Sequence, residues 1–200
     1  MSKGRFEAFS DGVIAILITI MVLELHTPEG TSWHALSEDV PVLLAYALSF
    51  IYLGIYWNNH HHMLAAVRRV SGGALWANLH LLFWLSLVPF VTAWMSENGF
   101  PPVPTAVYGI VLLAAAIAFY VLQIVLLRLE GDQSILRTAI GTNVKGKVSP
   151  LFYCLGIGLS FVNEWAGLAA YVVVALMWLV PDRRVERTLT ANHTVDHASN

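Results

Sequence analysis

Apolar runs of roughly 20 residues, each able to cross about 30 Å of hydrocarbon as an α-helix, recur along the whole 200-residue chain. Six such helices are predicted. The first runs from about Arg5 to Leu25, and the second from Val40 to Val67, with Pro41 at a helix start where its missing N–H costs nothing. The third covers Ala74 to Met95 and is interrupted by Pro89. The fourth begins at Pro104 and ends near Leu129, where Glu130, Gly131 and Asp132 mark the return to water. The fifth and sixth, Val148 to Val162 and Trp165 to Val180, are separated only by Asn163 and Glu164, which allows either a tight helical hairpin or a single bent pair. Asp11 interrupts the first apolar run and no small-residue cleavage site follows, so the amino-terminal segment reads as a retained helix and not a signal peptide. The expected organisation is an all-α, six-helix membrane domain over residues 1–182, followed by a polar, loose tail over 183–200.

Composition agrees with that pattern: 57% of residues are hydrophobic, only 12% are charged, and mean hydropathy is +0.65. Too little polar sequence remains to coat a soluble globule of this size, which excludes an ordinary cytosolic enzyme. A net charge of −2 without a basic block gives no electrostatic reason to expect a nucleic-acid partner. The single cysteine, Cys154, rules out an intrachain disulfide and a cysteine-based zinc site. Charge is nevertheless sorted. Lys3 and Arg5, Arg68 and Arg69, then Arg128, Arg137, Lys145 and Lys147, and finally Arg183, Arg184 and Arg187 make up all 11 basic residues, and all fall on alternate loops or ends. The other side carries Glu24, Glu29, Glu38, Asp39, Glu97 and Glu164 with no Lys or Arg. The positive-inside rule therefore predicts a multi-pass protein of the cell membrane with both termini cytoplasmic. Trp33, Trp57, Trp94, Trp165 and Trp178 fall near span ends, as interfacial anchors do, while Trp76 and Trp84 lie where they can simply pack.

Few ionisable groups remain within the spans, and each is costly there unless paired. Asp11 sits in the second turn of the first helix, where it either bonds a neighbouring helix or takes part in a gate or ion path. At about 100° per residue, with Ile16 as zero, Gly12 lies at about −40°, Thr19 at about −60°, Ile20 at about +40° and Leu23 at about −20°. These five residues form one stripe. Asp11, at about −140°, and Ser10, at about +120°, lie off it. Such a stripe usually reflects helix packing. Facing a symmetry axis, it would instead present rings of Ile and Leu with one ring of hydroxyls, a hydrophobic constriction of the kind that gates by dewetting. His60, His61 and His62 lie beside Trp57, Asn58 and Asn59, with Asn78 and His80 in the third helix. Adjacent helical histidines diverge, so these three do not converge on one metal, and interhelical hydrogen bonding is the expected role. An Arg5, Ser10, Asp11, Asn78 and His80 network is geometrically reasonable.

The run Arg5-Phe6-Glu7-Ala8-Phe9-Ser10-Asp11-Gly12-Val13-Ile14-Ala15-Ile16 resembles the R-x-x-x-F-S-D-G-V-x-A-I signature of the transmembrane protein 175 family, potassium channels of endosomes and lysosomes with shorter bacterial relatives. The Trp57-to-His61 segment and Asn78 to Pro89-Phe90 resemble that family's second and third helices; beyond them the likeness is one of hydropathy and length only. The resemblance implies a potassium-selective channel without a conventional filter and, for a chain with room for one six-helix repeat, a homotetramer. It further implies that Ile16 and Thr19 line the pore, with Ile20 and Leu23 continuing the narrow section, and that Phe9, Ser10, Asp11 and Gly12 are motif residues. Ser10 and Asp11 would brace neighbouring helices through Arg5, Asn78 and His80. No cofactor or resident metal is implied, only permeant potassium. Glu24 and Glu29 add an acidic outer mouth. Two other classes remain open at this point: a proton-coupled transporter using Asp11 and His80 as a relay, and a membrane enzyme or haem protein built on the histidines.

Overall fold

The computed structural model describes residues 2–131, 136 and 144–179, and all of its regular elements are helical. Helix α1, Lys3–Ile20, tightens into a 3₁₀ turn over Met21–Glu24. A short α2, Trp33–Glu38, starts where the Ser32 hydroxyl accepts the Ala35 N–H at 3.2 Å, an N-cap within a stretch that hydropathy leaves as loop. Next come α3, Val40–Ala65, then α4, Gly72–Ser86, and α5, Val88–Glu97. The break between α4 and α5 falls at Leu87, two residues before Pro89, whose missing N–H and ring cannot continue the α4 ladder. Helix α6 spans Pro102–Glu130 and ends at Gly131, whose φ of 84° few other residues adopt. The last two helices are α7, Val144–Leu159, and α8, Glu164–Leu179. Helix α7 begins four residues ahead of the expected Val148 and carries Pro150 inside it.

Four helical runs are long and apolar enough to cross a membrane: Lys3–Glu24, Val40–Ala65, Gly72–Glu97 and Pro102–Glu130. The expected count of six full spans is thus four among the described residues. The described residues of helices α7 and α8, 16 in each, extend about 24 Å, less than a 30 Å hydrocarbon slab. They form the tight hairpin and not the bent pair: Asn163 accepts the Ala166 N–H at 3.0 Å, and Trp178 near the end of α8 donates to Ser149 near the start of α7 at 2.8 Å. The side chain of Tyr171 fixes the hairpin on α6. A Cβ at Gly109 of α6 or at Gly156 of α7 would overlap the Tyr171 ring, so both glycines are needed for this close approach. Among the described residues helix α6 packs against α4, α5, α7 and α8, whereas α1 packs chiefly on α3 and α4. Among the described residues, one face of α1 is therefore left without a partner.

The two ends of the bundle differ in charge. Lys3 Nζ donates to the Ala65 carbonyl at 3.3 Å, and Glu130 Oε1 accepts the backbone N–H groups of Arg68 and Arg69 at 2.9 and 3.3 Å, which gathers the start of α1, the end of α3 and the end of α6 at one end. At the opposite end His26 and Glu97 approach to 3.5 Å. Arg137, Arg183, Arg184 and Arg187, and the predicted tail, lie outside the described residues.

Candidate functional site

Helix α1 is two-faced. Phe6, Ser10, Ile14, Leu17 and Met21 are buried against α3 and α4, and on a helical wheel they centre at about +120°, opposite the stripe. Gly12, Ile16, Thr19, Ile20 and Leu23 are all exposed; Ile16 retains 57% of its surface and Leu23 78%. Among the described residues the stripe is therefore not a packing seam. Because the helix narrows to three residues per turn over Met21–Glu24, Leu23 stands directly above Ile20 and prolongs the stripe. Thr19 Oγ1 donates its hydrogen back to the helix, 2.9 Å from the Ile16 carbonyl and 3.1 Å from that of Ala15. With the hydrogen directed inward, the oxygen lone pairs are what the stripe offers to anything facing it. A Cβ built on Gly12 meets nothing within 4 Å.

Behind the stripe runs a buried, directional chain of hydrogen bonds. Ser10 Oγ donates to the Phe6 carbonyl at 3.0 Å, Asn78 Nδ2 donates to Ser10 Oγ at 2.8 Å, and His60 Nε2 lies 2.8 Å from Asn78 Oδ1. Since Asn78 presents its oxygen to the ring, Nε2 carries the hydrogen and the imidazole is the donor. The chain joins α1, α4 and α3, and its three side chains are each at most 1% exposed. Phe6 stacks on His60 at 6.3 Å between centroids. His60 Nδ1 is the one buried side-chain polar atom among the described residues without a hydrogen-bond partner.

Three of the expected network members are placed elsewhere. His80 is exposed, and its Nε2 accepts from Trp84 Nε1 at 2.9 Å one turn along the same helix. Two residues on a helix subtend about 200°, so once Asn78 faces α1, His80 must face away. Asp11 sits at the edge of α1, where Oδ1 accepts Trp57 Nε1 of α3 at 3.0 Å; no hydrogen bond or ion pair joins it to His80. Arg5 is exposed, with no hydrogen bond or ion pair among the described residues. Phe9 is half exposed. Trp57, expected as an interfacial anchor, is the carboxylate's partner and also stacks on His61 at 6.1 Å. Among the described residues no three His, Cys, Asp or Glu side chains come together as a metal would require.

A second polar cluster escaped the sequence reading. Ser49 Oγ shares hydrogen bonds with Thr92 Oγ1 at 2.7 Å and Tyr108 Oη at 2.9 Å, Tyr52 donates to the Tyr171 carbonyl at 2.6 Å, and Tyr171 donates to the Thr105 carbonyl at 3.3 Å. These bonds tie α3, α5, α6 and α8 together within the buried core. Small hydroxyls and tyrosines in apolar runs give little signal, because alone they look like ordinary packing residues.

Known proteins share much of this sequence and fold. The family model of the endosomal/lysosomal potassium channel TMEM175 matches residues 5–89. A potassium channel of Chryseobacterium sp. is 54% identical, the alignment covering 96% of this chain and 100% of that protein. A potassium channel of Streptomyces collinus is 37% identical over 88% of this chain and 91% of the relative. The crystal structure of a lysosomal potassium-selective channel TMEM175 homolog from Chamaesiphon minutus superposes with a TM-score of 0.78 at 31% identity, covering 89% of this chain and 96% of that one.

Proposed function

Because the chain belongs to the endosomal/lysosomal potassium channel TMEM175 family, we propose that it is itself a passive, potassium-selective channel in which α1 from each of four copies lines the pore. The observation that carries this reading is the uncovered face of α1: all five residues that helical periodicity aligns are left exposed there by the described part of the chain. Four copies arranged about an axis would stack the Ile16 side chains into an apolar constriction, with the Thr19 oxygens one turn above it. Ile20 and Leu23 continue the narrow section toward Glu24 and Glu29. Ions crossing an apolar ring must shed or thin their hydration shell, and hydroxyl lone pairs, or water held by them, compensate part of that cost. The bare Cβ position at Gly12 leaves room for four helices to converge below the constriction. The Ser10–Asn78–His60 chain and the Asp11–Trp57 pair brace α1 from behind and hold its angle to the axis. Potassium is cargo in this scheme; no cofactor takes part and no bond is made or broken.

In the same reading the α7–α8 hairpin completes a six-helix protomer as a pair of short spans packed on α6, the basic end lies in the cytoplasm with both termini, and the channel resides in the cell membrane. Liposome flux tests the pore. Ile16→Asn is expected to raise potassium flux by widening and wetting the constriction, and Thr19→Ala to lower the preference for potassium over sodium. Unchanged flux and unchanged preference in both variants would sink the assignment.

A further inference from the structure

The outward faces of the bundle are of two kinds. The α7–α8 hairpin exposes aliphatic side chains, among them Leu151, Leu155, Val172 and Leu176, which lipid tails match in polarity. Helix α4 instead exposes Trp76, His80 and Phe83, at i, i+4 and i+7 on one face, with Trp76 75% and Phe83 55% exposed. Because His80 Nε2 accepts the Trp84 indole N–H, the hydrogen of the neutral imidazole is on Nδ1, and no acceptor among the described residues takes it. Helix α3 exposes a second polar face, Trp57, Asn58 and His61. The Asn58 amide makes no hydrogen bond among the described residues.

The two faces match in depth. His80 stands eight residues after the start of α4 and Asn58 seven before the end of α3, about 12 Å and about 10.5 Å along the axis from the same end of the bundle. Trp76 and His61 each stand four residues from that end, about 6 Å. An N–H and an amide at that depth face hydrocarbon, which offers neither acceptor nor donor. The faces also flank the bare stripe of α1 on opposite sides: α4 meets α1 at Ser10, at about +120°, and α3 meets it at Asp11, at about −140°. Copies rotated about an axis in front of the stripe therefore turn the α4 face of each toward the α3 face of the next, a head-to-tail contact that closes into a ring.

We propose that this contact is the interface between copies of the chain: Trp76 packs on the partner's Trp57 and the partner's His61, and His80 Nδ1 donates to the side-chain oxygen of the partner's Asn58. Aromatic side chains are the type enriched in such interfaces. Each half is incomplete without the second copy, since neither polar group has another partner among the described residues. The inference rests on the fourfold arrangement proposed above and names the faces that meet in it. The bond lies between copies, so its loss acts on assembly and leaves the fold of the single chain as it is.

Cross-linking in membranes tests the contact. On a Cys154→Ser background, full-length chains carrying Trp76→Cys or His61→Cys, distinguished by tag, are co-expressed and treated with a short bifunctional maleimide. A mixed dimer is expected from the pair, and none from either variant alone or from Leu151→Cys paired with His61→Cys. A mixed dimer no more abundant than in the Leu151 control would overturn the proposal, whatever the potassium flux. A mixed dimer in liposomes without flux would uphold the interface and count against the pore alone. For the bond, Asn58→Leu and His80→Leu are each expected to weaken association about threefold, the factor for an average interhelical bond in a membrane, and the double variant no more than either. Energy transfer between labelled copies on dilution into micelles measures this, and additive losses would overturn the His80–Asn58 pairing.

Discussion

Replacing Asn78 with Leu removes the hub of the buried chain at nearly constant volume, so the loss is one of hydrogen bonding and not of packing. Two interhelical bonds disappear, Asn78 Nδ2 to Ser10 Oγ and His60 Nε2 to Asn78 Oδ1, both at 2.8 Å. Measured interhelical bonds in membranes average about 0.6 kcal/mol and reach about 1.7 kcal/mol, so the pair supplies about 1–3 kcal/mol. The His60 N–H would then be stranded in a site 1% exposed, at a further cost of about 1–3 kcal/mol. Asn78→Leu is therefore expected to destabilise the protein by about 2–6 kcal/mol. Ser10 keeps its bond to the Phe6 carbonyl and should tolerate the change. His80→Ala, which removes only the exposed bond to Trp84, is expected to cost less than about 0.5 kcal/mol. Reversible unfolding in mixed micelles, read by circular dichroism for both variants and for His60→Leu/Asn78→Leu, measures these differences. The double variant should recover part of the loss, because neither partner is then left stranded. Equal, small effects for Asn78→Leu and His80→Ala would refute the assignment of the brace, and an additive double variant would refute the direct His60–Asn78 bond.

Gly156→Ala, which drives a methyl into the Tyr171 ring, is expected to destabilise the α7–α8 hairpin by about 1–3 kcal/mol; partial rescue by Tyr171→Leu in the same unfolding assay would confirm the contact. Glu24→Gln is expected to lower single-channel potassium conductance at about 10 mM salt and leave it unchanged at about 1 M, where the Debye length shrinks from about 30 Å to about 3 Å; a reduction of equal size at both salts would remove Glu24 from any electrostatic role at the mouth.

Much of α1 was legible because both of its faces obey one period. Every fourth or third residue from Phe6 to Met21 is buried and the opposite stripe is bare, so the wheel alone identified the two sides, although it could not say what the bare side meets. Pro89 likewise announced the α4–α5 break, and Asn163-Glu164 the hairpin turn. The brace was only half legible. Hydropathy marks Asn78, His80 and His60 alike as polar residues in apolar helices, but what separates them is helix rotation: Asn78 lies on the side of Ala74 and Leu81, whereas His80 does not, a distinction available in the sequence and missed. Trp57 was hidden for another reason. Its indole body fits an interfacial anchor, and only the three-dimensional approach of α3 to α1 gives its N–H a carboxylate. The Ser49–Thr92–Tyr108 cluster spans 59 residues of sequence and has no local pattern at all.

The claim that the bare stripe of α1 surrounds the ion path is tested most directly by thiol block in liposomes. On a Cys154→Ser background, since Cys154 is exposed, single cysteines replace Ile16, Thr19, Ile20 and Leu23 in turn. Controls are Ala15→Cys and Val22→Cys, which are also exposed but lie about 100–120° from Ile16 around the helix. Silver ions, small enough to follow potassium, are expected to abolish flux through the four stripe variants and spare both controls. Block at Ala15 and Val22 with none at Ile16 and Thr19 would place the path on another face and contradict the account.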